Sequence, residues 1–125
     1  MERCESWLDR AISSYELAKA NVSKLVLYED LCYQAQQSVE KALKGLLIYY
    51  DVEPEFTHNV GVLLTALSDY TDIPDNIKDA TKVTKYAVQT RYPGEYDDIT
   101  KDNYEESLKI AKACLDWVSS KLKCQ

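Results

Sequence analysis

The chain is poor in the residues that most often mark chemistry. Its 125 residues include one histidine, one methionine, one phenylalanine, three glycines and three prolines. So few turn-formers exclude a turn-rich all-β fold. A single histidine, His58, leaves no second one for a His-rich metal site or a His pair in acid/base catalysis. The four cysteines, at 4, 32, 114 and 124, never fall at the Cys-x-x-Cys spacing of zinc and redox sites. They read as reduced, structural thiols. No apolar run approaches the ~20 residues that cross a bilayer. The first ten residues carry Glu2, Arg3, Glu5, Asp9 and Arg10, unlike a secretory leader. A cytoplasmic protein with no membrane partner is expected. Positive charge is also scarce. Fifteen basic side chains against 21 acidic ones give a net charge of −6, which argues against nucleic acid as a partner. Residues 51–100 concentrate the imbalance, with ten acids and four bases.

What is present is helical periodicity. One domain spanning 1–125 fits the length. Leu8, Ala11, Ile12, Tyr15 and Ala18 predict a first helix capped at Ser6 and fading near Asn21, with 22–29 as a connection. The longest stripe runs Leu31, Ala35, Val39, Ala42, Leu43, Leu46, Leu47 and Tyr50. Gly45 interrupts it, and a neighbouring helix in close approach would explain a glycine there. Pro54 ends that helix. Thr57 is the expected cap of a third helix with Val60, Leu63, Leu64, Leu67 and Tyr70 on one face. Pro74 and Asp75 open a fourth, carrying Ile77, Ala80, Val83, Thr84 and Ala87. The last begins at Asp102, with Glu105 completing a capping box. Its stripe of Tyr104, Leu108, Ala111, Leu115, Val118 and Leu122 suits a bundle helix or a dimer seam. The fold class is therefore all-α, an up-and-down antiparallel bundle of four to five helices.

Two places could hold a ligand. On the second helix Gln37, Lys41 and Lys44 share a polar side, with Glu40 at its border. This is either a solvated face with a weak Glu40–Lys44 pair or a groove accepting an anion such as a nucleotide phosphate. The second place is the break from Thr90 to Asp98. Arg91 there suits a phosphate or carboxylate, and Tyr92 and Tyr96 offer faces on which a base could stack. Glu95, Asp97 and Asp98 would oppose a phosphate and could instead attract a divalent cation, though the bland reading is a plain connection. Glu55 and His58 do not extend to the paired Glu-x-x-His motif of a di-iron bundle.

The run Cys32-Tyr-Gln-Ala-Gln-Gln-Ser-Val-Glu-Lys-Ala-Leu-Lys-Gly-Leu-Leu47, with Trp7 before it and Thr57-His58 and Thr90-Arg91-Tyr92-Pro93 after it, resembles the HEPN domain family (higher eukaryotes and prokaryotes nucleotide-binding). The resemblance covers nearly the whole chain. It implies a small all-α bundle, usually a homodimer, often paired with a minimal nucleotidyltransferase. It also implies a nucleotide of the ATP or GTP class as ligand. Some family members are metal-independent, toxin-like ribonucleases that use an arginine and a histidine with four to six residues between them. Here Arg91 matches the arginine, but Tyr96, Asp97 and Asp98 stand where the histidine would be. The resemblance therefore points to the branch without that motif, with Gln37, Lys41, Lys44, His58, Arg91, Tyr92 and Tyr96 as ligand-binding candidates and no catalytic residue. Two alternatives are a ribonuclease with a degenerate site, in which Arg91 acts with Tyr96 or His58, and a plain helical interaction protein.

Overall fold

The computed structural model describes residues 2–20, 25–86 and 98–123. Its elements are α1 (Glu2–Ala20), α2 (Tyr28–Tyr49), α3 (Val60–Leu67), α4 (Asp75–Lys78, continuing as a 3-10 turn over Asp79–Val83) and α5 (Lys101–Lys123). The all-α bundle expected from periodicity is observed. Among the described residues no helix is long and apolar enough to cross a membrane.

Contacts along the helices give their directions. Gly45 near the end of α2 lies against Cys4 and Trp7 near the start of α1, and the Ser38 hydroxyl donates to the Ala11 carbonyl at 2.7 Å. These two helices are therefore antiparallel. Tyr104 at the start of α5 donates to the Ala18 carbonyl at 2.7 Å and stacks on Tyr28. Hence α5 runs against α1 and along α2. Lys82 reaches Glu106, and Asn76, Asp79, Ile110 and Ala113 line one hollow between the α4 segment and α5, an arrangement that fits the α4 segment running against α5. The directions alternate along the chain, with α3 as a short excursion from the bundle.

Small residues bring α1 and α2 together. The buried side chains of α1 are Cys4, Ala11, Ser14 and Ala18, while Ile12 and Leu17 are exposed. Small side chains let backbones approach, and most of the apolar mass of the core comes from α2, α3, the α4 segment and α5, with Leu8 and Tyr15 packed against it. The stripe of α5 turns into the bundle, with Ala111, Cys114 and Val118 sealed from solvent. Burial pushes the Cys114 thiol up to about 12, which leaves it unreactive.

Several boundaries differ from the sequence reading. Helix α1 begins at Glu2, so Ser6 is an exposed mid-helix residue rather than a cap. Tyr28 and Glu29 belong to α2, not to the connection. Asn59 caps α3 by accepting from the Val62 N–H at 3.3 Å, while the Thr57 hydroxyl accepts from Asn59 N–H. Thr100 precedes α5 and trades hydrogen bonds with Asn103: Asn103 N–H donates to the hydroxyl, and Thr100 N–H donates to the amide oxygen. This is a capping box shifted two residues ahead of Asp102, with asparagine in the glutamate's role. Ala87 lies outside the described residues.

A tight turn closes the end of α2. Asp51 has φ of 64°, its N–H donates to the Ile48 carbonyl, and Val52 N–H donates to the Leu47 carbonyl. This is a Schellman turn with aspartate in the left-handed position that glycine usually fills. It folds Val52 back beside Leu47.

Candidate functional site

The polar side of α2 is covered, not solvated. Gln36, Glu40 and Lys44 follow one another at four-residue intervals and so share a face. Glu40 stands at the centre, its side chain 7% exposed. Its Oε2 accepts from Lys44 Nζ at 2.9 Å, and its Oε1 accepts from Gln36 Nε2 at 3.0 Å. His58 Nδ1 lies 2.7 Å from the same Oε1. The segment before α3 carries His58 back over α2 and closes the face. With Nδ1 held by the carboxylate and the side chain 45% exposed, Nε2 is the ring nitrogen that Glu40 does not engage. The ammonium of Lys44 also sits 6.0 Å from the Trp7 ring centroid.

Burial alone would push the Glu40 carboxyl up. Hydrogen bonds from His58, Lys44 and Gln36, with the nearby ammonium charge, outweigh that and hold it below its ordinary value near 4.5. A depressed native pKa stabilises the fold above the unfolded value, and this contribution is lost as pH falls through the native one. The urea midpoint is therefore expected to drop below about pH 4.5, and Glu40→Gln to flatten that drop. An equal acid slope in the two proteins would remove Glu40 as its source.

The candidate residues divide. Lys44 and His58 meet through Glu40. Lys41 turns to α1, where Nζ donates to the Ser14 hydroxyl at 3.0 Å. Gln37 Nε2 donates to the Tyr33 hydroxyl at 2.8 Å. The expected solvated face is thus absent, because α1 and the His58 segment both pack on it. Arg91, Tyr92 and Tyr96 lie outside the described residues, as does Asp97; Asp98 is exposed. The Thr84 hydroxyl accepts from Val60 N–H at 3.0 Å, which places the end of the α4 segment beside the start of α3. Gln36 and Glu40, which the sequence places outside or at the border of the candidate face, complete the cluster. The four-residue spacing from Gln36 through Glu40 to Lys44 was the available signal. Among the described residues no group of three or more His, Cys, Asp or Glu side chains could hold a metal ion.

The arrangement offers one open polar function, an imidazole oriented by a buried carboxylate. Such a group can donate or accept a hydrogen bond, or move a proton, at Nε2. The ion pair beneath it is structural.

Comparison with known proteins agrees with this architecture. The family model described as "HEPN domain" matches residues 4–122. TT1696 from Thermus thermophilus superposes with a TM-score of 0.85 at 31% identity, over 97% of this chain and 99% of that one. ST0689, an archaeal HEPN homologue, does so with a TM-score of 0.75 at 30% identity, over 97% and 98% of the respective chains. No curated protein matches the chain.

Proposed function

Because the chain belongs to the HEPN domain family, we propose that it is a non-catalytic binding module. It acts as a homodimer, takes a nucleotide of the ATP or GTP class and pairs with a minimal nucleotidyltransferase. The observation that carries the reading is the fate of the one histidine. His58 is bound to Glu40 in the segment before α3, and Tyr96, Asp97 and Asp98 follow Arg91 where a ribonuclease of this family would supply histidine. With Lys44 committed to Glu40, phosphate falls to Arg91 and Lys41, the base stacks on Tyr92 or Tyr96, and His58 Nε2 contributes a hydrogen bond.

Isothermal titration with ATP and GTP tests this. Heat of binding is expected with wild type and is expected to be lost in Arg91→Ala. No heat at about millimolar ligand would remove the nucleotide from the account.

One observation favours a second reading, a ribonuclease with an altered site. A half-exposed imidazole whose Nδ1 faces a buried carboxylate has the orientation a general base needs.

A further inference from the structure

A second feature lies at the far end of α2. An open groove of about 750 Å³ runs between the end of that helix, the segment after its Schellman turn, and α3. Val52, Val62 and Ala66 contribute its apolar surface, and Glu53, Glu55 and Asp69 its carboxylates. Among the described residues no lysine or arginine lines it. The sequence around it explains that sign. Between Lys44 and Lys78 the chain has six acidic residues and neither lysine nor arginine.

One cation already shows how the rim behaves. Arg3 at the start of α1 holds Glu53 at 2.7 Å. Among the described residues Glu55 and Asp69 form no such pair. Exposed apolar side chains accompany them. Val62 is 37% exposed, and Phe56, next in the chain after Glu55, is fully exposed.

We propose that this groove docks an amphipathic segment of a partner protein, one that sets lysine or arginine beside apolar side chains. The apolar surface supplies affinity, and the unpaired carboxylates select and orient the basic residues. Charge decides against the other occupants. An isologous contact between two copies would set the same acidic rim against itself. Nucleic acid and anionic bilayers are repelled by the same sign. This deepens the binding-module reading by naming a surface for a protein partner. It rests on that reading only in expecting a partner, and its test does not involve the nucleotide, so either can fail alone.

The test uses the full chain, labelled with ¹⁵N, and a synthetic peptide of about 15 residues with leucines at helical spacing and lysines elsewhere. Two control peptides replace lysine by glutamate, or scatter the same leucines out of register. The lysine peptide is expected to bind in a salt-sensitive manner, with the largest amide shifts at Gly61, Val62, Thr65 and Ala66. Glu55→Lys with Asp69→Lys is expected to weaken it about tenfold or more and to favour the glutamate peptide. Val62→Asp weakens both peptides. These positions are on the surface, so circular dichroism should be unchanged. No binding at about millimolar peptide, equal binding of the scattered control, shifts centred elsewhere, or indifference to the charge reversal would each overturn the proposal.

Discussion

Replacing Glu40 by leucine is expected to destabilise the fold by about 3–5 kcal/mol, because it strands a buried ammonium. The side chains of Lys44 and Glu40 are 9% and 7% exposed, and their contact is 2.9 Å. Removing the carboxylate also takes the acceptor from Gln36 and His58 at once. The double change Glu40→Leu with Lys44→Met is expected to recover most of that loss, since a buried ion pair replaced by apolar side chains of similar volume is often close to neutral. Urea denaturation of the two singles and the double gives the coupling directly, read as shifts in midpoint at constant slope. A loss below about 1 kcal/mol for Glu40→Leu would place the pair in solvent, where ion pairs contribute that little. It would then return Lys44 to the candidate phosphate ligands.

Gly45→Leu should be similarly severe through steric overlap alone. A Cβ at this position would stand 2.9 Å from Trp7 Cβ and 3.3 Å from the Cys4 carbonyl oxygen. Neither is the free end of a flexible side chain, so α1 itself must shift. Overpacking of this kind costs about 1–3 kcal/mol and more for a branched side chain. Gly45→Ala meets the same first contact but regains about 1 kcal/mol of helix propensity, so it should lie between wild type and leucine. Thermal unfolding separates the three at roughly 4 °C per kcal/mol. A stabilised alanine variant would mean that the helices do not approach as described.

The glycine was readable because a helix interior penalises it unless a neighbour needs the space. The stripes of α2 and α5 were readable because both helices bury a broad apolar face. Helix α1 was harder. Its fully buried row is made of the small residues Cys4, Ala11, Ser14 and Ala18, while Leu8 and Tyr15 are only partly buried against the core and Ile12 is exposed, so the largest side chains of the stripe do not mark its deepest face. Its start carries no side-chain cap signal, which let Ser6 pass for one. Thr57 and Asn59 compete at the entry to α3, and Thr100 and Asp102 at the entry to α5; hydrogen-bond geometry alone decides between them. The site was hidden for a different reason. Glu40 falls only at the border of the polar face on a helical wheel. It is buried because the His58 segment, eighteen residues on, returns to cover it. Local periodicity carries no record of that return. Asp51 hid in the same way, as a left-handed residue without the usual glycine.

The proposed non-catalytic role and its ribonuclease alternative share one substrate test. A mixed RNA pool is incubated with wild type, Arg91→Ala and His58→Ala at high protein concentration, and cleavage is followed by gel. No cleavage by any of the three is expected, because no histidine follows Arg91 at the spacing that a ribonuclease of this family uses. Cleavage by wild type that disappears in both variants would contradict the non-catalytic role and make His58, oriented by Glu40, the base of an active ribonuclease.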